Sequence, residues 1–152
     1  MPIVEVELLG AKRLMKALNE LPKIVQKKVV RHAVRVGQKI ILGAAKDNAR
    51  SMVGGDMGSR IARALQVRVQ KRQKPGAFGM NVQINPAKTQ EFIHVAKSGK
   101  RTFIVAAIEY GHGNAAAIPF ERSAYDEKGQ TAINTAVRDL RDGTETEARK
   151  LA

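Results

Sequence analysis

Several residue types and segments are absent or scarce in this 152-residue chain, and each absence narrows what the protein can be. There is no cysteine, which excludes disulfide bonds, thiolate metal sites and a cysteine nucleophile, and which fits a reducing compartment. No apolar run approaches the ~18 residues of a membrane span, and the N-terminus lacks the basic start of a signal peptide, so we expect a soluble intracellular product. Aromatic residues make up only 4% of the chain, so we expect an aliphatic core and little stacking on nucleic-acid bases.

Positive charge is the most prominent property of the amino-acid composition. The chain has 27 lysine and arginine residues against 14 aspartate and glutamate residues, a formal net charge of +13. Residues 1–76 hold 17 basic and 5 acidic residues, whereas residues 77–152 hold 10 and 9, so nearly all of the excess lies in the first half. A one-sided charge of this kind indicates an anionic partner, either nucleic acid or an acidic protein surface. A basic face that is merely solvated is the alternative.

A long helix is the strongest pattern in the chain. From Pro22 to about Arg50, apolar residues recur every three or four positions, which predicts a helix of nearly eight turns with a broad buried face. Basic residues recur on its other side, mostly four positions apart. We call this set the basic row: Lys23, Lys27, Lys28, Arg31, Arg35, Lys39 and Lys46. Because like charges at this spacing repel one another, the row favours an anionic partner that would turn the cost into a gain.

The rest of the chain predicts shorter elements within one domain, which we place at residues 1–142. Alternating residues at 3–8 predict a strand, and the glycine-rich stretch 51–59 predicts a mobile loop. A short helix is expected at 11–20. A final helix should run from Pro119 to near Asp142, followed by a polar and flexible tail at 143–152.

The middle of the chain predicts an antiparallel hairpin. Alternating residues lead into one strand near Leu65 and Val69 and return along a second strand from Met80 to Ile84. The turn between them carries a flexible basic tip formed by Lys71, Arg72 and Lys74. Two further apolar runs, at 91–97 and 101–112, fit either a strand or a helix.

Catalytic and metal sites have little support in the sequence. The three histidines, His32, His94 and His112, lack metal-binding spacing, and no paired carboxylates are placed to hold magnesium. No serine lies in a G-x-S-x-G context. The one stretch that invites a chemical interpretation is "IEYGHG", where Glu109 and His112 flank a tyrosine and a glycine. A nuclease that uses this pair is a weaker hypothesis than a protein with no catalytic residues, no metal and no cofactor.

Four segments, taken in order, resemble the tail-component family of long-tailed bacteriophages, the small neck proteins between the portal and the tail. The first, "LLGAKRLMKALNELPKIVQKKVVRHAVRVGQKIILGAAKDNA", resembles the opening of that family, and "MGSRIARALQVRV" resembles its T-G-x-L-x-x-S-I segment. The third, "AAIEYGHG", is similar to its Y-x-x-x-x-E-F-G-T motif. The fourth, "IPFERSAYDEKGQTAINTAVRDL", is similar to its P-F-x-x-P-A run and last helix. The motif positions are Gly58, Glu109, Tyr110, Gly111, Pro119 and Phe120.

The resemblance implies a structural virion protein without catalysis. It implies a ring at the head–tail junction, six-fold or a multiple, which contacts portal-side or tail-tube proteins and encloses a lumen for the genome. It also implies an α+β fold, a twisted antiparallel sheet on which a long helix from the first half of the chain and a C-terminal helix are packed. The protein would then contact only the sugar–phosphate backbone of the DNA, without sequence preference, and no membrane would be involved. A free-standing, sequence-nonspecific nucleic-acid-binding protein is the alternative.

Within the resembled motif, Glu109 is the residue that packing explains least. We predict that its carboxylate caps local backbone amides or pairs with a basic residue, in the same subunit or a neighbouring one. Gly111 should free the backbone to turn, and residues 113–117 should act as an adaptable linker. Pro119 and Phe120 should begin and anchor the last helix.

Overall fold

The computed structural model describes residues 10–152, so the strand predicted at residues 3–8 lies outside the described part of the chain. The order of elements is α1 (Ala11–Glu20), α2 (Lys23–Asn48), a π-helical turn (Ala49–Val53), α3 (Gly55–Ala64), β1 (Leu65–Val69), β2 (Met80–Ile84), a 3-10 segment (Pro86–Phe92), β3 (Ile93–Val95), β4 (Arg101–Phe103), α4 (Ile104–Tyr110) and α5 (Phe120–Leu151). The fold is α+β, as the resemblance to the tail-component family implies.

Helices α2 and α5 form an antiparallel pair that organises the molecule. The end of α2 meets the start of α5, where the Asn48 side chain donates a hydrogen bond to the Phe120 carbonyl oxygen at 3.1 Å. Near the middle, Gly37 faces Ala132 so closely that a Cβ on the glycine would lie 2.9 Å from the Ala132 carbonyl oxygen. Gly37 is therefore a point of close packing between the two helices.

The strands form two separate two-stranded sheets. β1 pairs with β2 in antiparallel register, with Leu65 opposite Ile84 and Val69 opposite Met80, which confirms the predicted hairpin. β3 pairs with β4, and helix α4 follows β4 directly. The apolar run at residues 101–112, which fits either a strand or a helix by sequence, therefore contains one of each. Helix α2 contacts both strands of the first hairpin, so that hairpin forms a layer against the helix pair.

The core lies between the helix pair, α3 and the first hairpin. Its members are almost all aliphatic, as the composition requires, and the exceptions are Phe92 and Phe120, both fully buried. These two rings are the largest fully buried side chains, so they fill volume that alanine and valine cannot. No helix within residues 10–152 is long and apolar enough to cross a membrane.

Two predictions about irregular segments are wrong. Residues 51–59 are not a mobile loop, because they belong to the π-helical turn and to α3, with a break only at Gly54, where φ is +72°. Gly58 serves close packing there, since a Cβ on this glycine would collide with the Ala49 carbonyl oxygen. The last helix does not end near Asp142 either, and α5 continues through Leu151.

The extension of α5 has a packing reason that its polar composition hides. Thr144 is buried and its hydroxyl donates to the Leu140 carbonyl oxygen at 2.7 Å, so the polar side chain is satisfied inside its own helix. Gly143 lies against Val29 of α2, and a Cβ there would be 3.0 Å from the valine Cγ1. Residues 143–151 thus continue the α2–α5 packing instead of forming a free tail.

Candidate functional site

The carboxylate of Glu109 ties the end of α4 to the start of α5. Glu109 is only 3% exposed, and its two oxygens accept hydrogen bonds from the backbone amides of Glu121 and Arg122, both at 3.0 Å. These amides belong to the first turn of α5, where a helix has no internal acceptors for its N–H groups and where its dipole favours negative charge. Glu109 therefore acts as a cap supplied by a neighbouring helix, although Pro119 itself supplies no side-chain cap.

The same carboxylate also pairs with a basic residue. The Arg122 Nε atom donates to Glu109 Oε1 at 3.0 Å, and its Nη2 atom donates to the Glu109 backbone carbonyl at 2.6 Å. Both halves of the sequence prediction for Glu109 are thus confirmed, and both partners lie in the same chain. The sequence did not point to Arg122, because nothing in its spacing marks it as different from other basic residues of the last helix.

The backbone between the two helices is shaped by Gly111. Its φ is +82°, and a Cβ would lie 3.0 Å from the Ala115 carbonyl oxygen, so a side chain is excluded by both conformation and space. His112 and Ala115 exchange backbone hydrogen bonds, and the Ile118 amide donates to the Ile108 carbonyl at 2.7 Å. Residues 112–117 are exposed, as expected of a linker, but both of their ends are fixed by these bonds.

Tyr110 and Arg122 form an exposed pair above this joint. Tyr110 is 68% exposed, and the Arg122 guanidinium lies 4.8 Å from the centre of its ring. Because Arg122 is itself held by Glu109, the tyrosine is backed by a buried carboxylate. His112 is also exposed, whereas the Glu109 side chain is buried.

Glu121 is the one carboxyl at the joint with a strongly shifted proton affinity. Burial, and secondarily the nearby Glu109 carboxylate, raise the pKa of Glu121 to about 7. Some catalytic acids also have a carboxyl group whose pKa lies near neutral pH. Here the second cause follows from the cap itself, which places the Glu109 carboxylate beside the first turn of α5.

The basic row lies opposite the packed face of α2 along most of the helix. The buried stripe of α2 advances in steps of four, through Val29, Ala33, Gly37, Ile41 and Ala45. Five members of the row also advance by four, from Lys23 to Lys39, offset by two positions and therefore by about half a turn. These five, and Lys28, are exposed, whereas Lys46 is half-buried. Within residues 10–152, no member of the row forms an ion pair with a carboxylate.

The structure brings the hairpin tip next to the basic row. The Arg31 guanidinium lies 5.4 Å from the centre of the Phe78 ring, in the turn between β1 and β2. Gln73 braces that turn, because its side chain donates to the Gln70 carbonyl at 2.8 Å and accepts from the Gly79 amide at 2.8 Å. Lys71, Arg72 and Lys74 project as exposed side chains from this braced turn. Two basic sets that are separate in sequence thus share one side of the molecule.

Residues that could hold a metal are not brought together in the described part of the chain, which contains no group of three or more histidine, cysteine, aspartate or glutamate side chains placed to bind one. His32 instead meets Asp139 of α5, with 2.7 Å between Nδ1 and Oδ2. The sequence could not reveal this pair, since its members are 107 positions apart and meet only because α2 and α5 pack together.

Comparison with known proteins gives one match. Residues 12–111 match the family model HK97-gp10_like, described as "Bacteriophage HK97-gp10, putative tail-component". The matched region runs from α1 through Gly111, so it includes the basic row, the first hairpin and Glu109. Neither the curated proteins nor the solved structures contain a significant match to this chain.

Proposed function

The chain belongs to the HK97-gp10-like family of bacteriophage tail components, which have a structural role in the virion, and we propose that it forms a ring in the phage neck. The ring, six-fold or a multiple, would join portal-side proteins to the tail as a head–tail connector, tail-completion or tail-terminator component. Its partners would be further copies of itself and other neck, portal-side or tail-tube proteins. Synthesis would take place in the host cytoplasm, before assembly into the particle.

The observation that carries this proposal is the division of charge between the two main helices. Residues 23–48 of α2 hold seven basic residues and one acidic residue, whereas residues 120–151 of α5 hold six basic and seven acidic residues. Six of the seven residues of the basic row are exposed, and none of the seven forms an ion pair with a carboxylate within residues 10–152. A subunit with one strongly basic side suits a ring whose inner wall meets the phosphates of passing DNA.

We also propose that the protein is not an enzyme. Both carboxylate oxygens of Glu109 already accept hydrogen bonds from the start of α5, and Arg122 occupies one of them a second time. A general base must reach a substrate proton, whereas the Glu109 side chain is buried and already accepts from three donors. The chemistry suggested by "IEYGHG" is therefore replaced by a structural role, in which Glu109 fixes the angle between α4 and α5.

Measurement of mass at high protein concentration, alone and with the tail partner, tests the ring. The expected result is a closed oligomer of six-fold symmetry or a multiple, together with rescue of head–tail joining in particles that lack this protein. A strict monomer that also fails to restore joining would contradict the proposal.

The free-standing nucleic-acid-binding protein remains the second candidate, favoured by the exposed basic row. It predicts tight DNA binding by the monomer, with affinity that falls steeply as salt rises. The ring predicts weak binding by the monomer and stronger binding after assembly, because only the ring presents many rows at once. Comparison of the two states at one salt concentration separates the candidates.

A further inference from the structure

The outer face of the first hairpin carries polar side chains that neither the basic row nor the Glu109 joint uses. Alternation along β1 and β2 divides the hairpin into two faces. Leu65, Val67 and Val69 lie on the face that packs toward α2, opposite Ile84, Val82 and Met80. The other face holds two cross-strand pairs, Gln66 with Gln83 and Arg68 with Asn81. All four residues of this outer face are half-buried.

A shallow cleft lies on this outer face and extends to the hairpin tip. It has a volume of about 350 Å³ and is lined by Arg68, Asn81 and Gln83, and by Lys71 and Arg72 of the tip. Residues 65–85 contain four basic residues and no acidic one. The cleft therefore offers guanidinium, ammonium and amide groups, a set that complements a ligand with negative charge and many hydrogen-bond acceptors.

The hairpin is also held firmly enough to present this face. Gln73 braces the turn, and the phenol oxygen of Tyr125 in α5 accepts a hydrogen bond from the Val82 amide at 3.3 Å while donating to the Gln38 side chain at 3.2 Å. One polar atom is left over, since Asn81 Oδ1 is buried without a hydrogen-bond partner in the described part of the chain. Such an atom costs free energy, which a ligand that lets the amide turn outward would recover.

We propose that the outer face of the β1–β2 hairpin enters the major groove of duplex DNA. A two-stranded ribbon fits a major groove about 12 Å wide, and strands of this length reach roughly 17 Å along it. Arginine, asparagine and glutamine are the side chains that form paired hydrogen bonds with base edges, and this face carries Arg68, Asn81, Gln66 and Gln83. Lys71 and Arg72, at the tip, contact the phosphates that border the groove.

This inference goes beyond the proposed function, because it needs no ring and because it adds base readout to the backbone contact that the sequence predicts. An acidic protein is a less suitable occupant, since the face offers amide groups in addition to charge and lacks the large apolar anchors that dominate protein interfaces. The amides are of little use to a partner that is recognised by charge alone.

The test compares three double variants of the full chain for DNA binding. The ribbon variant is Asn81→Ala with Gln83→Ala, and the tip variant is Lys71→Gln with Arg72→Gln. The matched control is Lys97→Gln with Lys100→Gln, which removes the same charge from the exposed turn of the β3–β4 hairpin. Binding sequences are first selected from a pool of randomised duplexes, and affinities are then measured by fluorescence anisotropy over a range of salt concentrations.

We expect the tip variant to reduce the slope of log affinity against log salt by about 1.8, since each lost phosphate contact removes about 0.9. The ribbon variant should keep the slope but bind the selected sequence roughly 5- to 150-fold more weakly, and bind random duplex as before. The control should match the wild type in sequence preference and change the slope less than the tip variant does. A melting curve confirms that each variant is folded, and the ribbon variant should fold because it removes an unpaired acceptor.

Three results would overturn the inference. The first is a selection that yields no preferred sequence, and the second is a ribbon variant with wild-type preference. The third is a ribbon variant that loses its contact with another virion protein while its DNA affinity is unchanged, which would make this face a protein interface. Ring formation is read separately, from the mass of the same samples, so failure of the ring and failure of the ribbon are distinguishable.

Discussion

Substitution of Glu109 by glutamine should destabilise the protein more than any other single exchange of a carboxylate for an amide in the described chain. The glutamine keeps the size of the side chain, so the core need not repack. It removes the negative charge that faces the first turn of α5, and its NH₂ group replaces one acceptor with a donor. Three donors converge on the carboxylate, the amides of Glu121 and Arg122 and the Arg122 Nε atom, and the glutamine oxygen cannot serve all of them.

The size of the effect follows from these contacts. A hydrogen bond to a charged group contributes about 1.5–3 kcal/mol, against about 0.5–1.5 kcal/mol for a neutral one, so three weakened bonds could cost about 3–5 kcal/mol. The Arg122 side chain is 51% exposed and can turn to water, which reduces its share. We therefore expect a loss of about 2–4 kcal/mol, or a fall in Tm of roughly 5–15 °C for a chain of this size.

Thermal and urea unfolding, followed by circular dichroism at pH 7, measure this loss. The control is Glu127→Gln, the same exchange at an exposed position of α5, which should change stability by less than about 0.5 kcal/mol. If Glu109→Gln proves as stable as that control, the carboxylate does not hold the α4–α5 joint. If it is stable but abolishes a measurable hydrolysis, the catalytic hypothesis for Glu109 returns.

Three further predictions concern packing, pH and the end of the chain. Gly37→Ala should destabilise the protein by about 1–3 kcal/mol in urea unfolding, because the new Cβ would meet Ala132. Gly43 is exposed and has nothing within 4 Å of a new Cβ, so Gly43→Ala should stabilise the protein by up to about 1 kcal/mol. Equal effects of the two substitutions would contradict close packing at Gly37. The folded-state pKa of Glu121 is raised to about 7 from 4.5, so its contribution to the free energy of unfolding is fully present below pH 4.5 and is lost as pH rises through 7. The protein should therefore lose on the order of 1–2 kcal/mol of stability between pH 5 and 8, and Glu121→Gln should flatten that pH profile. A variant with an unchanged profile would refute the assignment. Truncation after Asp142 should lower the melting temperature by several degrees, because it uncovers Val29 of α2. An unchanged melting temperature would instead support a flexible tail at residues 143–152.

The parts of the fold that depend on local patterns were predictable from sequence. The apolar stripe of α2 and the alternation of β1 and β2 are repeated over enough residues to identify their elements, and the structure confirms both. The capping role of Glu109 was also within reach, because an acidic residue in an apolar run, followed closely by a glycine and a helix start, has few other uses.

The parts that depend on contacts between distant residues were not predictable. Glycines at 54, 55 and 58 indicate a loop by composition, yet Gly58 is required because α3 touches Ala49, which no local pattern records. In the same way, "GTETEARKLA" looks polar and unstructured, and only the packing of Gly143 on Val29 extends the helix through it. The junction of the basic row with the hairpin tip rests on the contact between Arg31 and Phe78, 47 positions apart.

The pairing of α2 with α5 has a consequence for how the protein is made. Gly37 emerges from the ribosome 95 residues before Ala132, which at about 5–20 residues per second means a delay of roughly 5–20 s. During that interval the apolar stripe of α2 has no α5 to cover it, and the Val82 amide of the first hairpin lacks the Tyr125 oxygen that accepts its hydrogen bond. A nascent chain that ends before α5 therefore cannot present the packed surfaces of the finished subunit.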